Sequence, residues 1–131
     1  MTLEVTAVDH LYIAVSDLAR AIAFYDPLMK TLGFRKGTKP IAGEQHVHYF
    51  NRVTQYSLRP ARGGAVHDPY SPGLHHLCFR LPSREQVDVA AREIRALGID
   101  VSVPRCAGCV SWCAITGTSS RSSRTRSRRP G

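Results

Sequence analysis

The chain has 131 residues, 43% of them hydrophobic and 21% charged, which allows one folded domain with a real core and excludes global disorder. No apolar run reaches the ~18–20 residues that span a bilayer, and MTLEVTAVDH lacks the basic and apolar regions of a secretory signal, so a cytoplasmic location is expected. The formal charge of +8 is unevenly placed: residues 1–104 hold 12 of the 18 Lys and Arg and all 10 Asp and Glu, whereas 105–131 hold six Arg and no acid.

In chain order, Val8, His10, Tyr12 and Ala14 alternate with Asp9, Leu11, Ile13 and Val15, which predicts a mostly buried strand. Ser16 is placed to N-cap the next segment, and Asp17 favours the positive end of its dipole. Leu18, Ile22, Tyr25, Leu28, Met29 and Leu32 recur at helical spacing, and Gly33 is a natural stop. Pro27 inside that run predicts a kink or a divided helix. A short strand over 34–39 leads to a Pro-containing turn. Residues 45–51 alternate with His46, His48 and Phe50 on one face, and 54–59 alternate with Gln55, Ser57 and Arg59 on one face. Residues 61–73 are rich in Gly and Pro and read as a linker.

The opening pattern then returns. Aligning 8–34 with 74–99 sets His10 on His76, Leu11 on Leu77, Ile13 on Phe79 and Val15 on Leu81, with Gly33 on Gly98 after a one-residue slip. Ser83 and Gln86 form a capping-box pattern, and Val87, Ala90, Ala91, Ile94 and Leu97 supply the apolar stripe of a second helix. The first half reads β-α-β-β-β. The second begins alike and stops matching after Val103.

The segments VDHLYIAVSDLARAIAFYDPLMKTLGF and GLHHLCFRLPSREQVDVAAREIRALGIDV resemble the vicinal oxygen chelate superfamily, which includes glyoxalase I, bleomycin-resistance proteins and extradiol dioxygenases. The resemblance implies an α+β fold of paired βαβββ modules, whose mixed sheets curl around a cleft. It places a glyoxalase-like domain at 1–104, with module one at 5–60, the linker at 61–73 and an incomplete module two from 74. It also implies a small-molecule ligand, a homodimer, and a divalent metal (Zn, Ni, Mn or Fe) that chelates two adjacent substrate oxygens as a Lewis acid.

Transferred residue by residue, the resemblance matches His10 to the first metal ligand and His76 to its counterpart in module two. The next ligand falls near Ser57, a poor one for a divalent ion; Gln55, on the same strand face, is the nearest substitute. The fourth, a Glu on the last strand of module two, has no match, because no acid follows Asp100. Two histidines without a carboxylate make a weak site for Zn, Mn or Fe. The expectation is therefore a metal-poor small-molecule binding protein or degenerate enzyme, its cleft lined by Tyr12, His48, Phe50, Ser57 and Arg59. The alternative is a metal-dependent lyase, isomerase or dioxygenase with His10 and His76 as residual ligands. No catalytic residue is assigned.

Several side chains carry two readings. His46 and His48 are spaced as a metal clip or as cleft lining. Arg59 suits a substrate carboxylate or a solvated strand end. His75 lies on the opposite face from His76, and Cys78 reads as core.

The tail, RCAGCVSWCAITGTSSRSSRTRSRRPG, loses hydrophobic periodicity where the repeat calls for two more strands. From 116 its composition is that of a disordered segment. A shifted reading frame accounts for the lost acids and the clustered Cys and Arg. Taking the last base of each codon with the first two of the next, Trp112 and Cys113 force a valine. One allowed translation across 112–126 is VRDYRYFFAVFEDP, a strand leading to an Asp-Pro turn. A divergent terminus is the alternative. Cys106, Cys109 and Cys113 lack a nearby fourth zinc ligand, and the Arg/Ser run lacks aromatic residues for base stacking, so nucleic acid is not the expected partner.

Overall fold

The computed structural model describes residues 1–68, 70–74 and 77–101, and the backbone of a strand at 109–112. The fold is α+β. Its first unit is a four-stranded mixed sheet of order β1-β4-β3-β2, made of β1 (His10–Val15), β2 (Arg35–Ile41), β3 (Glu44–Phe50) and β4 (Gln55–Pro60). β1 runs parallel to β4 and the other neighbours are antiparallel. The helix α1 (Leu18–Thr31) follows β1, giving the expected βαβββ order.

β1 is less buried than its alternation suggested. His10, Tyr12 and Ala14 are exposed, and only Leu11, Ile13 and Val15 turn inward, because helices cover one face of the sheet alone. The N-cap of α1 is Asp17 rather than Ser16: its carboxylate accepts the Arg20 backbone N–H at 2.9 Å, pairing a negative group with the positive helix end. α1 also runs unbroken through Pro27. The missing N–H deprives the carbonyl of Ala23, an exposed residue that water can reach. At the C-terminus Gly33 takes φ +81°, Gly33 N–H donates to Lys30 O at 3.0 Å and Phe34 N–H to Met29 O at 2.9 Å, the paired bonds of a Schellman ending.

β2 extends past the expected 39 and contains Pro40, which was read as part of a turn. The outer edge of the sheet tolerates a residue without a donor. The turn is Ala42-Gly43, with φ of 51° and 80°, the two-residue primed form that suits strand twist. The β3–β4 turn is tied by Asn51 Oδ1, which accepts the N–H groups of Val53 and Thr54 at 2.8 and 3.0 Å.

The second half contributes β5 (Leu77–Arg80), α2 (Arg84–Ala96) and β6 (Cys109–Trp112), with β5 and β6 antiparallel. Ser83 caps α2, accepting the Gln86 N–H at 3.3 Å. Cys78 is exposed, against the core reading: on this strand Leu77 and Phe79 take the inward positions, and Phe79 packs on Phe34 and Tyr56 at ring separations of 5.8 and 6.2 Å. β6 shows that the tail supplies a paired strand at 109–112, where no periodicity marked one; the rest of 105–131 lies outside the described residues.

One core joins the halves. Val47, Tyr49, Tyr56 and Leu58 of the sheet meet Tyr25, Leu28 and Met29 of α1 and Val87, Ala91 and Ile94 of α2. The buried tyrosines keep their hydroxyls paired, Tyr56 to Tyr25 at 3.1 Å and Tyr49 to Asp26 at 2.7 Å, as buried polar groups require. Burial pushes both the Tyr49 and Tyr56 hydroxyls far above the usual tyrosine range. Partial burial raises the Asp26 pKa, but hydrogen bonds from Lys36 and Tyr49 and the Lys36 charge outweigh it, leaving the carboxyl below its ordinary 3.8.

Two outcomes follow from this packing. Leu58 is fully buried, so Leu58→Ala should cost about 2–5 kcal/mol, read as a lower urea midpoint at unchanged slope. Asp26, ionised more readily in the folded chain, stabilises above pH 3.8, and that contribution disappears as pH falls through its lowered value. Asp26→Asn should therefore lower stability at neutral pH and flatten the acid limb of a stability–pH curve.

Candidate functional site

The face of the sheet turned away from the helices carries the polar side chains. Strand register sets them in rows: His10 opposite Gln55, Gln55 opposite Phe50, and Phe50 opposite Arg35; then Tyr12 opposite Ser57, Ser57 opposite His48, and His48 opposite Gly37. Tyr12, His48, Phe50 and Ser57 thus share one surface, with His10 at its edge. Tyr12 is central, meeting the rings of His10, His46 and His48 edge-on at 5.9, 5.8 and 6.0 Å. The Arg35 guanidinium lies 5.1 Å over the Phe50 ring, a cation–π contact.

Beneath Tyr12 is a compact hydrogen-bond network. Gln55 Nε2 donates to Ser57 Oγ at 2.9 Å and approaches His48 Nδ1 at 3.3 Å, and Ser57 Oγ and His48 Nδ1 are 2.9 Å apart. Ser57 is fully buried and His48 half-buried. Desolvation, then the charges of His46 and Lys39, lower the His48 pKa below 6.5. His46 is 5% exposed, and among the described residues its Nδ1 has no hydrogen-bond partner.

Arg59 is part-buried and pairs with Glu44. Glu44 Oε2 accepts from it at 2.7 Å, and Glu44 Oε1 accepts from Arg62 at 2.9 Å. The Arg62 hydrogen bond, reinforced by the charges of Arg62 and Arg59, holds the Glu44 carboxyl below the usual range. Sequence reasoning missed Glu44 and Asp9. The β3–β4 register, which pairs Val47 with Leu58, carries Glu44 and Arg59 toward the same end of the sheet; that was the available signal. Asp9 Oδ2 lies 2.8 Å from His10 Nδ1, and the signal there was simple adjacency.

The described donors do not suit a divalent ion. Ser57 Oγ is buried and already engaged by Gln55 and His48, and Glu44, the carboxylate nearest His46, is engaged by two arginines. Among the described residues, no group of three or more His, Cys, Asp or Glu is arranged to hold a metal. His75 and His76 lie outside the described residues, as do Cys106 and Cys113. A cavity of about 950 Å³ opens elsewhere, between the first unit and β5–α2, lined by Leu11, Phe34, Tyr56 and Phe79 among others. Its mainly apolar wall marks the space between the halves; the converging polar groups are on the opposite face.

The Glyoxalase/Bleomycin resistance protein/Dioxygenase superfamily matches residues 7–107, most of the chain, and the chain belongs to that superfamily. Among solved structures it is similar to the fosfomycin resistance protein FosX of Listeria monocytogenes, complexed with Mn(II) and 1S,2S-dihydroxypropylphosphonic acid. The TM-score is 0.56 at 15% identity, over 84% of this chain and 86% of that one. A glyoxylase/bleomycin resistance protein/dioxygenase domain from Frankia sp. EAN1pec gives 0.55 at 20% identity, over 78% and 74%. These likenesses are of fold. Comparison with curated proteins gives no match.

His48 offers a direct check of the electrostatics. Its folded pKa lies below the ordinary 6.5, so the unfolded chain binds the proton more readily. The stabilising effect of a neutral ring is complete above pH 6.5 and is lost as pH falls through the lowered folded value. An NMR titration should place the His48 midpoint below 6.5, and Lys39→Gln should raise it.

Proposed function

We propose that the chain is a glyoxalase/bleomycin-resistance-type domain that binds a small molecule on the Tyr12–Ser57–His48 surface without depending on a metal. One observation carries this reading: position 57, where the resemblance sets a metal ligand, holds a buried serine whose oxygen is already engaged by Gln55 and His48. Phe50 and Tyr12 supply ring faces and edges for apolar parts of a ligand, and His48 supplies a polar contact. In metal-dependent relatives an ion would polarise substrate oxygens as a Lewis acid; here His10 alone among the described residues matches that role.

The second reading is a divalent-metal-dependent lyase, isomerase or dioxygenase, with His10 and His76 as ligands. What favours it is the Asp9–His10 pair. Asp9 engages Nδ1 and no described residue is hydrogen-bonded to Nε2, the arrangement by which carboxylates orient metal-binding histidines. FosX was solved with Mn(II), a fact about that protein. A cytoplasmic homodimer is the proposed setting; among the described residues no helix is long and apolar enough to cross a membrane.

Metal analysis decides between the readings. Protein purified without chelator or affinity tag should carry no stoichiometric ion, and titration calorimetry with Zn, Ni, Mn and Fe(II) should show only weak binding. A one-to-one ion, lost in both His10→Ala and His76→Ala, would reverse the order of the two readings.

A further inference from the structure

The network beneath Tyr12 has a direction. An amide nitrogen only donates, so Gln55 Nε2 gives one N–H to Ser57 Oγ at 2.9 Å and directs the other toward His48 Nδ1 at 3.3 Å. Ser57 Oγ has accepted from Gln55 and keeps its own proton to donate. The neighbour within reach is again His48 Nδ1, at 2.9 Å. An Nδ1–H could donate to Ser57 Oγ but would face the Gln55 N–H at 3.3 Å, so the arrangement favours an Nδ1 that presents its lone pair. In a neutral imidazole the proton then sits on Nε2.

The Nε2 side of the ring is open. Among the described residues no hydrogen-bond partner for His48 Nε2 is present, and that atom is not among the buried, unsatisfied ones. Gly37, the residue opposite His48 on β2, has no side chain to cover the ring. A protonated nitrogen repels a cation and donates to an acceptor. Lys39, opposite His46 on the neighbouring strand, is the cationic side chain whose charge acts on the ring. That positive charge favours an anionic acceptor over a neutral one.

We infer that Gln55 and Ser57 are positioning residues that hold His48 in its Nε2–H tautomer, and that this fixed donor receives an oxyanion of the bound ligand. The inference rests on reading this surface as the binding site. It deepens that reading by naming the ligand group and explaining why serine occupies position 57.

The test uses the full-length ¹⁵N-labelled chain after chelator treatment, at a pH where His48 is neutral. Long-range ¹⁵N–¹H correlations distinguish the bare from the protonated ring nitrogen. The expected result is a bare Nδ1 in the wild type. Ser57→Ala should then shift the tautomer ratio by about two- to tenfold, the worth of one net hydrogen bond; if that variant does not fold, Gln55→Met is read in its place. Added acetate should move the His48 Nε2–H signal saturably, and further than acetamide at equal concentration. A proton on Nδ1 in the wild type, an unchanged ratio in the folded variant, or an acetate shift no larger than that of acetamide would overturn the inference. Because metal is absent throughout, the outcome is independent of the metal analysis that tests the broader reading.

Discussion

The parallel pairing of β1 with β4 governs the rest of the first unit. Parallel neighbours cannot be joined by a tight turn, so the chain must travel through α1 and the β2–β3 hairpin before β4 returns beside β1. The crossover lays α1 on one face and leaves the other open. It also makes distant residues neighbours: the register that sets Leu11 against Tyr56 on the core side sets Tyr12 against Ser57 on the open side. The ladder is extended at both ends, by Gln55 N–H to Asp9 O and Ala61 N–H to Val15 O, each 2.9 Å. The Thr54 hydroxyl adds a bridge to the carbonyls of Val8 and Asp9.

With β1 and β4 fixed, the two faces handle polar atoms differently. On the helix side, Tyr25, Tyr49 and Tyr56 bring hydroxyls into the core and pair each one. On the open side, Ser57 is as deeply buried as the tyrosines. An unpaired hydroxyl there would cost about 1–3 kcal/mol, and Gln55 and His48 remove that penalty together. His46 is the exception, with a buried Nδ1 that lacks a partner among the described residues. Buried polar atoms of this kind are rare in folded proteins, so His46 stands apart from the satisfied triad beside it.

Much of this was legible in the sequence because it rests on local periodicity. The α1 and α2 stripes follow the 3.6-residue spacing and become core as read, as with Leu28, Met29, Val87 and Ile94. The strand faces of β3 and β4 follow period two, so Ser57 and His48 could be assigned to one surface. What escaped depended on partners distant in sequence. The pairing of Arg59 with Glu44 was hidden because Glu44 arrives from across the sheet. Pro40 suggested a turn because sequence alone did not show that β2 would be the edge. Cys78 looked like core because its residue type favours burial, whereas strand alternation assigned the inward places to Leu77 and Phe79. β6 spans only four residues, too short for alternation to stand out against a tail of mixed composition.

The second half enters the site through packing rather than polar contact. A two-stranded sheet such as β5–β6 is marginal alone and depends on an apolar anchor. Phe79 provides one by packing against Phe34 and Tyr56, while α2 adds Val87, Ala91 and Ile94 to the same core. Tyr56 precedes Ser57 on β4, and successive strand residues point to opposite faces. The ring that receives Phe79 from behind therefore belongs to the residue that fixes where Ser57 emerges in front. Close-packed interiors transmit such constraints, so loosening the second half would disturb the Ser57–His48 geometry even though, among the described residues, no hydrogen bond in that network comes from it.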